Sequence, residues 1–390
     1  MNFSNKILGF ASLTVIILAS SICLSILPNV SASSPSTHLG PSTLPSTTFV
    51  SAPPTGANGP DDITKLSVHG LDGGKELVWT AYQNGINPDG TPGTTGGPTQ
   101  STVAGYDPST GALVKSILVT GKVDGLSAYP ETGKLIATVN EDANSAFNII
   151  DPATGTVTTY SYSPDPAVSG AGGTDSIAVH GNDIYVSHSN PFDTTQATDY
   201  KVDLDYSTLT AKLTPVFYDN STATNALTGA KRYLGLTDPD TNYFMPHSSE
   251  RFAGSLATIS QGDGLIIFAS HLEKNPRLDV MNVTDNVSGN VPPIDGLAVA
   301  TSDHGTLYVV DAGTNKIQAF DTSGWPAGTV FVGEPSDNGN PLVGILDLST
   351  GHITPLGNSF QSPKGILFVP ATEDSDNHDN NDDHEDNESP

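Results

Sequence analysis

Three aspartates head three similarly worded stretches: Asp124-Gly125-Leu126-Ser127-Ala128, Asp175-Ser176-Ile177-Ala178-Val179 and Asp295-Gly296-Leu297-Ala298-Val299. Carboxylates that recur at the start of a repeated unit are candidate ligands for a hard cation such as Ca²⁺, provided the fold draws the copies together. Asp311, directly after an apolar run, is the fourth candidate of this kind. Asn84, Asn140, Glu141, His188 and His271 also close apolar runs and are candidate ligand-binding residues. The amides and carboxylate can hydrogen-bond a ligand, and one or two imidazoles can serve a transition metal or acid–base chemistry. No HExxH, no GxSxG and no cysteine nucleophile is present, so the familiar hydrolase signatures are missing. Asp238-Pro239-Asp240-Thr241-Asn242 has the first spacings of a calcium loop but lacks its glycine and closing glutamate, and reads as a turn.

The elements that must position these residues are strands. Between 61 and 370 no helical period stands out; short β-branched runs such as Leu135–Val139, Leu265–Ala269 and Thr306–Val310 alternate with Gly, Asp, Asn and Pro. A tight-turn signature recurs as Asp107-Pro108-Ser109-Thr110-Gly111, Asp151-Pro152-Ala153-Thr154-Gly155 and Asp347-Leu348-Ser349-Thr350-Gly351. Its aspartate can accept turn amides and its glycine can take a positive φ. Weaker unit openings are Asp61-Asp62-Ile63, Gly254-Ser255-Leu256-Ala257 and Lys364-Gly365-Ile366-Leu367. Each clear unit runs strand, turn, strand, loop, strand, with small residues near its start that suit a crowded central strand. Radial repetition of such units predicts an all-β fold, a single β-propeller with six blades favoured and five or seven open. The last run, Gly365 to Pro370, is expected to close the ring beside N-terminal strands.

The stretch from Gly296 to Asp321 resembles an NHL-type propeller repeat, and Asp151-Pro152-Ala153-Thr154-Gly155-Thr156-Val157 resembles the turn of YVTN-type, lactonase-like propellers. In propellers of this kind, the loops entering the first strand and leaving the second open on one face. The resemblance therefore implies that Asp61 or Asp62, Asp124, Asp175, Asp295 and Lys364 ring a channel mouth. Gln83, Asn84, Asn140, Glu141, His188, His271 and Asp311 then stand beside them. Gluconolactonase-like propellers hold a central cation there, but their ligand pattern is not matched here residue by residue, so their activity does not carry over. The structural alternative is that each aspartate caps a tight turn and the channel holds water.

Composition sets the surroundings. The chain has 390 residues, 42 Asp+Glu against 15 Lys+Arg and a formal charge of −27, which excludes nucleic acid as a partner. Residues 1–32 read as a signal peptide, with Lys6, an apolar run 7–27 and small residues at Val30-Ser31-Ala32. If the run stays uncleaved, it is long enough to anchor the chain to the outer face of a membrane. Residues 33–60 read as a Ser/Thr/Pro-rich linker and 371–390 as an acidic disordered tail. The sole cysteine, Cys23, lies in the leader, so disulfides play no part in the exported chain. Asn220, Asn282 and Asn286 begin glycosylation sequons. Two classes of function stay open. One is a secreted, monomeric propeller that binds an extracellular ligand, glycan or protein, with Ca²⁺ as the candidate cofactor. The other is a channel-mouth enzyme, a lactone or ester hydrolase or a metal- or quinone-linked oxidoreductase.

Overall fold

The turn signatures show how local sequence becomes structure in the computed structural model. At Asp107 the carboxylate accepts the amides of Ser109 (2.9 Å) and Thr110 (3.1 Å), and Gly111 at φ 69° donates back to the Asp107 carbonyl (2.9 Å). The copies at Asp151 and Asp347 repeat this bonding, with Gly155 at φ 81° and Gly351 at φ 74°. A further copy opens at Asp205, whose carboxylate accepts from Ser207 (2.9 Å) and Thr208 (3.2 Å). It escapes the sequence signature because Leu209, not glycine, takes the left-handed position at φ 52°.

The structure describes residues 41–371, except 46, 69–73, 167–171, 192–195, 286–290, 339 and 358. The segment 1–32, expected to be a signal peptide, and all of the expected tail 371–390 beyond Ala371 lie outside the described residues. Within them the strands form antiparallel meanders, two of which join edge to edge through a short parallel pairing of Thr156–Ser163 with Thr210–Tyr218. The innermost strands are Pro60–Ser67, Val123–Tyr129, Thr174–His180, Pro239–Phe244, Leu297–Val299 and Pro363–Pro370. Each touches the next, and the last touches the first, so they close a ring around a channel of about 260 Å³. This is a β-propeller.

Glycines near the starts of three inner strands show how tight the ring is. A Cβ on Gly125 would collide with the Asp175 carbonyl, one on Gly296 with the Lys364 carbonyl, and one on Gly365 with the Asp61 carbonyl. Hydrophobic clusters fill the wedges between neighbouring sheets. Leu77, Trp79 and Val103 of one sheet pack with Leu126, Leu135 and Ile150 of the next. Trp79 lies over Gly105, where any side chain would strike its ring.

Three sequence expectations need correction. The unit expected to open at Gly254 opens instead at Pro239–Phe244, and Leu256–Ser260 is its second strand. The long gap before it holds an added hairpin, Thr222–Asn225 with Lys231–Tyr233, on the outer edge of that sheet. The stretch 296–321 is not one repeat: Leu297–Val299 pairs with Val330–Glu334, while Gly305–Asp311 and Lys316–Asp321 join Pro363–Pro370. Adjacent wording could not reveal this exchange, because an antiparallel edge accepts any strand of matching length and polarity. Finally, the segment 33–60 is not all linker. Thr47–Val50 is the outer strand of the sheet that contains Pro363–Pro370, Leu44 is buried in its core, and Ser51 exchanges hydrogen bonds with Ile317 (3.0 Å each way).

The closing sheet thus takes its outer strand from the N-terminal side and its inner strand from the C-terminal side. A chain beginning after Ser51 should still fold but melt several degrees lower, since it leaves the edge of Lys316–Asp321 unpaired. Circular dichroism melts of the two lengths test this; equal midpoints would show that the strand adds nothing to closure.

Candidate functional site

Inner strands begin at one end of the ring, so whatever residue starts them is carried to the same mouth. Asp61 and Asp62, Asp124, Asp175, Asp240 and Asp295 arrive in this way. Asp238 and Glu141 arrive on adjoining loops. Among the described residues two lysines, Lys122 and Lys364, stand among these eight carboxylates. Lys364 Nζ lies 3.0 Å from Asp61 and 2.8 Å from Asp295. Lys122 Nζ lies 2.7 Å from Asp124 and is also paired with Glu141. Gln83 ties the two groups together, donating to Asp61 and reaching the Val123 carbonyl (3.3 Å). Asp62 accepts the Leu126 amide (2.8 Å), and Asp124 accepts the Glu141 amide (3.2 Å).

Burial sets the charge state. Loss of water pushes the Asp62, Asp124, Asp175, Asp240 and Asp295 carboxyls well above the usual range; neighbouring carboxylates add to this, while Lys122 at Asp124 and Lys364 at Asp240 and Asp295 oppose it without reversing it. Burial and Glu141 push Asp238 up to about 6. Burial would lower Lys364, but Asp295, Asp61 and Asp240 outweigh it and hold the ammonium charged. Burial would raise Glu141, but Lys122 draws it below the usual value.

In one sector of the ring two of three clustered carboxyls, Asp175 and Asp238, lack a lysine partner, and only Glu141 is paired, with Lys122. Ligand oxygens of Glu141, Asp175 and Asp238 lie within 4.8 Å of one another. Asp175 is 1% exposed, and its Oδ2 has no hydrogen-bond partner among the described residues. A buried, unpartnered carboxylate oxygen beside two further carboxylates is an arrangement that a hard cation satisfies. Below this mouth the channel is lined by Thr64, Ser127, Ser176 and Asn242 among apolar side chains.

The sequence candidates divide. Asp124, Asp175, Asp295 and Glu141 come together at the mouth. Asp311 does not belong with them: both its oxygens accept the amides of Gln361 (3.2 and 3.3 Å), and one also that of Ser362 (2.8 Å), so it clamps the loop that leads to Lys364. Asn84 accepts the Asn58 amide (3.1 Å) and donates to Gln100 and Thr102. Asn140 accepts the Lys122 amide (2.9 Å). Asn84, Asn140 and His271 share a left-handed backbone, at φ 58°, 63° and 59°. Their recurrence after second strands therefore marks a bend for which asparagine is well suited. His188 is fully buried, accepts the Asn190 amide (3.1 Å) and contacts the Pro166 carbonyl (3.2 Å); burial lowers its pKa. Lys122, Asp238 and Asp240 were not singled out for the mouth. The proline between the two aspartates, at the first position of a strand, was the available signal.

No family model and no curated protein matches the chain. Similar solved structures include streptogramin B lyase, at 13% identity over 83% of this chain and 94% of that one, with a TM-score of 0.43. A protein designated a gluconolactonase shares 10% identity over 84% and 91%, with a TM-score of 0.42. A Bacteroides uniformis ATCC 8492 protein designated a 6-phosphogluconolactonase shares 11% over 78% and 88%, at 0.41. The propeller assignment rests on the ring of inner strands in this chain.

The raised carboxyls make stability depend on pH. Burial also pushes Asp199 up to about 7 and Glu334 up to about 8. Between the unfolded and folded values of these groups the folded chain holds more protons, so stability falls as pH rises. Between about pH 6.5 and 8.5 the metal-free protein should lose stability steadily. Below that range His188, with its lowered pKa, acts in the opposite sense. Urea melts in chelator across this range check the sign; a flat or rising profile would contradict the buried-carboxylate account.

Proposed function

We propose that the protein is an exported β-propeller that binds an extracellular ligand, glycan or protein partner at the acidic channel mouth, using a divalent cation. Calcium suits a donor set made only of oxygens. Glu141, Asp175 and Asp238 are the residues that would hold it, and the observation that carries the reading is the orphaned Asp175 Oδ2. Asp124 and Asp295, also candidates by sequence, are neutralised by Lys122 and Lys364 and act as the outer wall of the site. A bound cation offers a ligand carboxylate, carbonyl or hydroxyl a point of attachment in a mouth that would otherwise repel anions. Export is supported by the leader pattern and by the absence of cysteine beyond it. Asn220 and Asn282 are exposed, as glycosylation requires, while Asn286 lies outside the described residues. The chain is proposed to act as a monomer.

The second reading is a cation-dependent lactone or ester hydrolase. It is favoured by the same cluster, since a divalent cation held by Glu141, Asp175 and Asp238 would polarise a lactone or ester carbonyl at the mouth.

The test is thermal unfolding of the full exported chain in EDTA and in Ca²⁺, on wild type and on Asp175→Asn. Ca²⁺ should raise the wild-type midpoint, by the equivalent of about 2.7 kcal/mol at a hundredfold excess over Kd. Asp175→Asn should melt higher than wild type in EDTA at about pH 8, since it removes a carboxyl whose ionisation is opposed by burial and by neighbouring carboxylates, and should lose most of the Ca²⁺ response. An equal response in both proteins would locate any bound ion elsewhere, the acidic tail included. Lactone hydrolysis that disappears with EDTA and with Asp238→Asn would decide for the second reading.

A further inference from the structure

The end of the propeller opposite the mouth carries a second cleft. Strands alternate in direction, so the turn after an inner strand and the turn before an outer strand both lie away from the mouth. Residues 129–134 form a turn of the first kind, residues 151–156 one of the second, and residues 205–210 the equivalent turn of the neighbouring sheet. Between them is a cleft of about 360 Å³. Its aromatic wall is Tyr129, Tyr160 and Tyr206, and its polar wall includes the paired Lys134 and Asp151 (2.8 Å). Thr154, Thr156 and Thr158 add hydroxyls.

Three observations mark this cleft as more than a surface crease. Tyr206 is 62% exposed and stands edge-to-face with Tyr160, with centroids 6.2 Å apart at 87°. The rings of Tyr129 and Tyr160 are covered, but their hydroxyls carry no hydrogen bond to the described residues and are not sealed from solvent, so they remain available to a ligand in the cleft. The third concerns the turn itself. Where the copies at Asp107 and Asp151 carry Pro108 with Gly111 and Pro152 with Gly155, the copy at Asp205 carries Tyr206 and Leu209. Leu209 accepts a left-handed backbone and is 43% exposed, and its carbonyl accepts the Ser161 amide (3.0 Å), which fixes the turn over the cleft. Backbone strain and an exposed aromatic ring are thus tolerated together, at the copy that overhangs the cavity.

We propose that this cleft is a binding subsite for a neutral pyranose sugar. Such a ring has an apolar C–H surface that packs on an aromatic ring, and a rim of hydroxyls that both donate and accept. Tyr206 supplies the ring surface. The free hydroxyls of Tyr129 and Tyr160 and those of the threonines supply partners that can likewise donate or accept. Lys134 and Asp151 neutralise one another, so the polar wall selects for hydrogen bonding and not for charge. The volume lies at the lower end of the about 300–1,000 Å³ usual for small-ligand sites, which suits a mono- or disaccharide. The subsite is independent of the cation at the channel mouth.

Calorimetric titration of the full chain with maltose, cellobiose, lactose and N,N′-diacetylchitobiose tests this. At least one sugar should bind saturably in the millimolar range or tighter, and EDTA should leave that binding unchanged. Tyr206→Ala should weaken it about tenfold or more. Tyr160→Phe, which removes only a hydroxyl, should weaken it less. Tyr233→Ala, which removes a 75% exposed tyrosine elsewhere, should have no effect. No binding by any of the four sugars, or binding that survives Tyr206→Ala, overturns the proposal. Binding abolished by EDTA and by Asp175→Asn would place the sugar at the channel mouth and overturns it equally.

Discussion

Ring closure forces buried carboxylates onto a common axis, and the character of the molecule follows from how that crowding is managed. The inner strands approach until glycine meets carbonyl, as at Gly125, Gly296 and Gly365. Little surface of Asp124, Asp175 and Asp295, which stand at the starts of such strands, is left for water to screen. Lys364 relieves Asp61 and Asp295, and Lys122 relieves Asp124 and Glu141. Neither lysine is ion-paired with Asp175, Asp238 or Asp240, so in that sector carboxyls face one another without a salt bridge of their own. Breaking either lysine pair would leave a buried charge uncompensated, which costs more than the pair itself contributes.

The same meander that makes the mouth makes the opposite end, but with different chemistry. At the mouth, chain direction delivers strand starts, and acids at those positions converge. At the far end it delivers tight turns whose aspartates are satisfied locally by their own amides, as at Asp107, Asp151, Asp205 and Asp347. Hydrogen bonding to those amides and to neighbouring hydroxyls holds Asp107 and Asp205 below the usual carboxylate range, the reverse of the shift at Asp175. One residue type therefore has two roles, decided by whether the backbone or only another carboxylate faces it.

Closure of the ring is distributed along the chain. The sheet containing Pro363–Pro370 borrows Thr47–Val50 from the start, and the neighbouring sheet takes Leu297–Val299 from before the exchange and Val330–Glu334 from after it. Such interleaving makes separate unfolding of these two sheets costly, because neither has all its strands from one continuous segment. It also ties the position of Lys364 to both, through Asp295 on one side and Asp61 on the other.

By itself the sequence determined the strand content, the turn chemistry and the positions of Asp124, Asp175 and Asp295 at strand starts. Each of these depends on residues close together in the chain: β-branched runs, Asp-to-Gly turns, an acid before a small residue. Tertiary structure alone decided which polar residues are free for chemistry. Asn84, Asn140 and Asp311 looked available, yet backbone amides tens of residues away occupy Asn84 (Asn58), Asn140 (Lys122) and Asp311 (Gln361). Asp238 looked like part of a turn, yet it meets Glu141 and Asp175 across the ring. The exchange of strands after Val299 was equally invisible, because hydrogen-bonded pairing is indifferent to sequence distance. Local propensity acts through neighbours along the chain, whereas charge compensation acts through space, and only closure of the ring says which charges share it.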